Sequence, residues 1–375
     1  MCDNDFTTFL YDFHKKSHKS LIFVTKIDLD QSYKYNNSET ISIIFRSTPM
    51  NINQIAKLAG VSTAAVSRYL NNGYLSEEKR QAIAKVIDET GYIPSTQAQT
   101  LRTKKTKIIG VIIPKIDSDS ISQVVAGIGE VLNKKGYQML LANTDNQDEK
   151  EIEFINTFKQ NIVDGIILLG TVLTPKHKKA LKDLTIPYVV LGQQTDISTC
   201  IFHDDYTAAY ELADYIVSKG HKNIAYIGVT EKDIAVGVNR KNGFLDALEK
   251  HNIKPSSDLI KTGPFYMDNG YENTKALLSK NKNIDAILCA TDTIALGAIK
   301  YLNENKIKIP DDIAVAGFGE SKPSSILSPS LTTVHFYYRE CGVEGATFLL
   351  DKILNPDIPD KAMKLGFEII KNQSV

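Results

Sequence analysis

Residues 51 to 101 read NINQIAKLAGVSTAAVSRYLNNGYLSEEKRQAIAKVIDETGYIPSTQAQTL. Ile52, Ile55, Ala56 and Leu58 recur at helical spacing, Ala59-Gly60-Val61 breaks the helix tightly, and Ser62 caps a second helix whose Ala65, Val66 and Leu70 face inward. Two helices joined by so short a turn make a helix-turn-helix. The second helix of such a unit lies in the major groove with its N-terminal residues against base edges, so Thr63, Ala64, Ser67 and Arg68 are the outward candidates. Arg68 leads them, because its rigid fork of donors matches the O6/N7 edge of guanine. The short Ser62 and Thr63 side chains can hydrogen-bond phosphate or a base edge. Asn51, Asn71 and Tyr92 complete the candidate DNA contacts of this head.

Gly73 then allows a turn, and Ser76 opens a third helix whose Ile83, Val86 and Ile87 close a three-helix core. In Gly91-Tyr92-Ile93-Pro94 the proline disfavours helix at Ile93 and can itself sit near the start of a further helix. Ser95 to Leu101 is expected as that helix, of about two turns, which is marginal alone in water because nucleation costs more than two turns return. Such a segment should order only when paired with a twin and seated on DNA.

The pattern AGVSxxxVSRxLN, then GYIPxxxAxxL, then RTxxTxxIGVIIP, resembles the N-terminal signature of the lactose-repressor (LacI/GalR) family of bacterial transcription regulators. The likeness runs from Asn51 to about Ile370. It implies a homodimer on palindromic double-stranded operator DNA, with paired hinge helices in the minor groove, Ala98 among their contacts and Leu101 wedged between base steps. Where the family most often has a polar pair or an Ala-Thr, this chain has Thr63-Ala64-Ala65, so no relative's operator can be transferred to it.

A chain of 375 residues, 42% hydrophobic, suits two or three domains with a large core. Its formal net charge is zero but unevenly placed. Residues 50–107 hold nine Lys and Arg against four Asp and Glu, residues 108–375 hold 29 against 34, and residues 1–49 balance at six each. A basic head steers towards polyphosphate, and an acidic remainder stays off it. Cys2, Cys200, Cys289 and Cys341 lack CxxC pairing and no secretory peptide is evident, so reduced thiols and a cytoplasmic location are expected. No stretch approaches a membrane span. Residues 1–49 precede Met50, where the family's chains usually begin, and are expected as an extension without a settled fold or as an over-called start.

From residue 107 the period changes. Ile108-Ile109-Gly110-Val111-Ile112-Ile113-Pro114 is a continuous apolar run, the mark of a strand buried on both faces of a parallel sheet. Helix and strand then alternate: helices at 124–135, 150–160 and 176–184, strands at 137–142, 165–169 and 188–191. The alternation restarts after Asp205, with helices at 206–219, 239–251, 269–279 and 293–304 and strands at 223–228, 258–262, 286–290 and 313–317. The expected fold is therefore α/β: a helix-turn-helix head (50–94), a hinge helix and linker (95–106), and a two-lobed, doubly wound core like that of periplasmic binding proteins (107–375). Ligands bind outside the carboxyl ends of strands in such sheets, so a cleft between the halves is the expected pocket.

The resemblance supplies candidates there. Arg240 corresponds to a family arginine that grips the effector, Asp292 beside Thr291 to an acidic residue of the cleft, Phe265 and Tyr338 to covering rings, and Ser118 and Ser120 to the near wall. Carboxylate and guanidinium forks on adjacent hydroxyls, with an aromatic ring over the apolar face, suit a small sugar or phosphosugar. Each candidate also has a plain structural reading. Arg240 could pair with a surface carboxylate, Asp292 could cap the helix beginning at Thr293, and the two rings could belong to the core. The family's acidic pair after Val-Gly-Tyr is replaced by Gly319-Glu320. Residues 201–209, IFHDDYTAA, and 227–244, IGVTEKDIAVGVNRKNGF, resemble the sucrose and trehalose repressors within the family.

No metal or cofactor is expected, because His203, Asp204 and Asp205 lack a matching second cluster. Catalysis by Cys200, His203 and Asp204 fails on spacing, since neighbours in a strand end point in opposite directions. The resemblance implies a dimer surface along the side of both halves that includes the first core helix, where Val124, Ile128 and Leu132 recur at suitable spacing. The tail has no leucine heptads of the kind that make some relatives tetramers. Two rivals remain open: a catabolite regulator governed by a phosphorylated carrier protein, and a periplasmic-type sugar-binding protein, which the head and the missing export signal oppose.

Overall fold

The computed structural model describes residues 50–92, 105–160 and 162–375. Residues 1–49, most of the expected hinge, and with it Ala98 and Leu101, lie outside the described residues. The chain divides near Pro94 into two compact units.

The first unit is the head: α1 (Ile52–Leu58), α2 (Thr63–Leu70) and α3 (Glu77–Thr90). Ile55, Ala56, Ala65, Val66 and Ile83 form its buried core, with Leu70, Val86 and Ile87 packed against it. Leu58, which shares the helical spacing of Ile52, Ile55 and Ala56, is 59% exposed; it is the last residue of α1, where the chain already turns. The caps account for where these helices begin. Asn51 and Gln54 form a capping box, with Gln54 N donating to Asn51 Oδ1 at 3.1 Å and Asn51 N to Gln54 Oε1 at 2.8 Å. Ala65 N donates to Ser62 Oγ at 3.2 Å, satisfying one of the donors that a helix start leaves unpaired. Gly91 ends α3 at φ +62°, the left-handed cap glycine adopts without penalty.

The second unit holds two parallel sheets. One has the order β2 (Gln138–Asn143), β1 (Ile108–Ile113), β3 (Gly165–Leu169), β4 (Tyr188–Leu191), β5 (Cys200–His203) and β11 (Ala362–Leu365). The other runs β7 (Ile260–Gly263), β6 (Ile224–Val229), β8 (Ala286–Cys289) and β9 (Ala314–Ala316). The helices between them are α4 (Asp119–Lys134), α5 (Asp148–Phe158), α6 (Pro175–Lys182), α7 (Asp205–Ser218), α8 (Arg240–Lys250), α9 (Met267–Lys280) and α10 (Asp292–Glu304). β1 is buried along nearly all its length, with Ile109, Val111 and Ile113 on one face and Ile112 on the other. This is the doubly wound α/β arrangement that the continuous apolar run implies.

Everything after β9 differs from the expectation, which placed no element there. The structure has α11 (Lys322–Ile326), β10 (Thr333–Phe336), α12 (Tyr338–Leu354), β11 and β12 (Phe367–Ile370). β10 pairs antiparallel with β12, while β11 joins β5 in the first sheet. The chain thus passes between lobes three times: after β5, after β10 and after β11. α12 covers the first sheet by packing on α4 at very close range. A Cβ on Gly127 would lie 2.1 Å from Arg339 O, and one on Gly342 would lie 2.0 Å from Val124 O. Val124, Ile128 and Leu132, read as a dimer surface, are buried at 5%, 0% and 1% exposure in this same packing. They belong to the core, because the apolar stripe of α4 already has a partner within the chain.

Candidate effector cleft and DNA-reading face

A cavity of about 180 Å³ opens between the lobes. At about 30 Å³ for each water's share of liquid volume it holds on the order of half a dozen, the scale of a small sugar instead of an ion. Its wall is built from segments that come after strands: Pro114-Lys115 after β1, Gly170-Thr171 after β3, Gly192-Gln193 after β4, His203 closing β5, Asp233 beyond β6, Phe265 beyond β7, Thr291-Asp292 beyond β8 and Phe318-Gly319 beyond β9. Successive parallel strands deliver their loops to one edge, which is why a doubly wound fold binds there.

All seven candidates, Ser118, Ser120, Arg240, Phe265, Thr291, Asp292 and Tyr338, line this cavity. Their local partners are more elaborate than the sequence suggested. Arg240 is 4% exposed. Its Nε donates to Asp205 Oδ1 at 2.7 Å and its Nη1 to Ala290 O at 2.6 Å. The guanidinium carbon lies 4.8 Å from the Phe318 ring centroid and 4.9 Å from that of Phe336. Burial works against its charge, but Asp205 holds its pKa above the usual arginine range. The plain alternative is therefore half right: Arg240 does pair with a carboxylate, but a buried one. Asp292 accepts from Thr333 Oγ1 at 2.6 Å and from Ser321 N at 2.8 Å. Burial pushes its pKa up, and these two hydrogen bonds oppose the shift. Thr291, not Asp292, caps α10, taking Ile294 N on its hydroxyl at 3.2 Å. Ser118 and Ser120 share a hydrogen bond at 3.0 Å.

Several wall residues were not among the effector candidates of the sequence. Gln193 of the first lobe donates to Asp233 Oδ1 of the second at 2.8 Å and to Thr171 O at 3.0 Å. Asp233 also accepts from Val236 N at 2.9 Å, capping a short π-helix (Ile234–Asn239) that precedes α8. Burial lifts its pKa to about 6. Lys115 reaches across to Phe265 O at 3.4 Å and lies 5.1 Å from the centroid of the Tyr266 ring. His203 packs its ring at 5.1 Å from both Phe336 and Tyr338. The one signal that could have found these residues is position, since each comes at or after the end of a strand of the alternation.

On the head, Ser62, Thr63, Ala64 and Arg68 are exposed along the start and one side of α2, with Ser67 half-buried between them. Asn51 is exposed but committed through its capping box. The Asn71 amide donates to Ser67 O at 2.5 Å, closing α2. Tyr92 packs partly buried against the head core. Among the described residues no group of His, Cys, Asp and Glu could hold a metal ion, and no helix is long and apolar enough to cross a membrane.

Comparison with known proteins agrees with this geometry. Residues 51–95 match the family described as bacterial regulatory proteins, lacI family, and residues 213–375 match the periplasmic binding protein-like domain. The sucrose operon repressor of Staphylococcus xylosus is 38% identical over 292 residues, 78% of this chain and 90% of that one. This chain belongs to the lacI family. A solved structure of the lac repressor dimer bound to operator and the anti-inducer ONPF has the same fold, at a TM-score of 0.80 and 23% identity, covering 87% of this chain and 99% of that one. A LacI-family regulator from Enterococcus faecium with bound ribose is 26% identical at a TM-score of 0.64, covering 71% of this chain and 98% of the other. This LacI-family chain is thus a DNA-binding transcriptional repressor, and its relatives are regulators, not enzymes.

Proposed function

We propose that this chain represses a sugar-utilisation operon in the cytoplasm. As a homodimer it holds double-stranded operator DNA with both heads, and a small sugar in the cleft releases it. The observation that carries the reading is the meeting of Ser118, Ser120, Arg240, Phe265, Thr291, Asp292 and Tyr338, drawn from both lobes, around one cavity bridged by Gln193 and Asp233. A ligand held by both lobes binds one lobe angle better than another and shifts the population towards it. The Asp164 carboxylate accepts from Thr106 N at 2.6 Å and Lys107 N at 3.0 Å, tying the entry of the linker to the first lobe. The start of the linker therefore moves with the first lobe when the lobe angle changes. The likeness to a sucrose operon repressor and to a ribose-bound regulator supports a sugar as the signal. Fluorescence anisotropy with duplex DNA from upstream of the chain's own gene tests this. Sucrose, fructose or ribose should weaken binding, and a complex indifferent to all three would count against it.

A further inference from the structure

We propose that the cleft takes an uncharged polyol and rejects its phosphate ester, with the His203 imidazole accepting a ligand hydroxyl where the lobes join. This rests on the cleft being the sugar site, and it selects within the sugar and phosphosugar class that the fold admits.

The charges around the cavity decide against a dianion. Among the described residues that line it, Asp119, Asp205, Asp233 and Asp292 face only two cations, Lys115 and Arg240. Arg240 is already paired with Asp205 at 2.7 Å, and Lys115 lies 3.9 Å from Asp117 and 3.4 Å from a carbonyl oxygen. A phosphate would find, among these cations, only Lys115 outside a close ion pair, and at least two carboxylates close by. Helix N-termini, the usual alternative anion site, are also occupied from within. α4 carries Asp119 in its first turn, α10 carries Asp292, and the π-helix is capped by Asp233. Carboxylates placed this way accept hydroxyl donors, which is how a polyol is held.

His203 supplies the second observation. It is 8% exposed and lines the cavity, yet its Nε2 has no hydrogen-bond partner. A buried polar atom left so costs free energy until something pairs with it. Burial lowers the pKa of the ring and keeps it neutral, and the Tyr337 backbone takes part in a hydrogen bond with it. A neutral imidazole with one nitrogen so engaged offers the other as an acceptor, and a hydroxyl supplies the proton. The residue stands at the junction of the three crossings. It ends β5, its ring touches Phe336 and Tyr338 of the second crossing, and its backbone lies opposite Leu365 before the third.

Titration calorimetry on the full chain with glucose, fructose, ribose and sucrose, each beside its monophosphate (glucose 6-phosphate, fructose 6-phosphate, ribose 5-phosphate, sucrose 6-phosphate), tests both parts. At least one neutral sugar should bind tenfold or more tighter than its ester. His203→Phe, which keeps a ring against Phe336 and Tyr338, should weaken that sugar roughly tenfold while the melting temperature stays within a few degrees. An ester that binds as tightly as its parent overturns the charge argument alone, and unchanged sugar affinity in His203→Phe overturns the imidazole contact. Binding by none of the eight overturns the sugar reading of the cleft and this inference with it.

Discussion

Arg68 and Glu151 show how differently two charged side chains of one protein can be used. Arg68 lies exposed on α2, where a guanidinium can fork onto a guanine edge. Arg68→Ala should weaken operator binding by about 1–3 kcal/mol and relax selectivity at one base step, measured by anisotropy on an operator series; unchanged affinity would mean that another face of α2 reads the DNA. Glu151 is only 4% exposed, with Oε1 at 3.5 Å from His177 Nε2. The distance suggests an ion pair, but the surroundings do not: burial lifts the Glu151 pKa to about 8 and lowers that of His177. Both groups are therefore neutral at pH 7. The folded state holds the Glu151 proton from the ordinary carboxylate range up to about pH 8, where the unfolded chain has lost it, so stability falls as pH rises through that window. His177 acts at the other end, losing stability as pH falls through and below the ordinary histidine range. Urea midpoints at pH 6 and pH 9 should show wild type losing more than Glu151→Gln on the alkaline side, and parallel losses would refute the neutral assignment. Asp292→Ala should leave operator binding intact but abolish the response to sugar. It should also cost about 1–3 kcal/mol of stability by stranding Ser321 N and the Thr333 hydroxyl. Normal induction by the variant would take Asp292 out of the pocket.

Among the elements, what could be read in advance tracked the strength of the periodic signal. β3 and β4 appear where the apolar runs put them, at Gly165–Leu169 and Tyr188–Leu191. α4 begins at Asp119, earlier than expected, because its first turn is polar and has no apolar repeat to mark it. α12 escaped notice for a related reason. Its buried face is Cys341, Gly342, Gly345, Ala346, Leu349 and Leu350, and small residues give little contrast with a loop. Those residues are small because α4 lies so close. Gly127→Ala should force backbone apart at Arg339 O, destabilising the core by about 1–3 kcal/mol or more in urea unfolding, whereas Gly136→Ala, with nothing within 4 Å, tests only the cost of its positive φ. The cleft was legible in the same graded way. Residue types tied to a motif, such as Arg240 and Asp292, could be named, while Gln193 and Asp233 could not, since their pairing depends on how two lobes face each other.

For the molecule as a whole, the relation between dimer and operator is the consequential step. With Val124, Ile128 and Leu132 buried, the apolar surface of the first lobe that remains open includes the sheet's edge strand β2, where Leu140 and Leu141 are 39% and 36% exposed. An open apolar edge strand is a ready surface for pairing with another chain, so this edge is one place to test the proposed homodimer. Sedimentation of the unaltered chain should give the mass of two copies at micromolar concentration, and a mass of four would contradict the proposal. Leu140→Glu combined with Leu141→Lys should shift that mass towards one. Calorimetric sugar affinity should then hold, because neither residue lines the cleft. Operator affinity should fall by about two to four decades, because two unlinked heads lose the effective concentration that a joined pair supplies. A single-copy variant that still held its operator at full strength would separate DNA binding from pairing, and the mechanism by which sugar acts through the joint grip would fail with it.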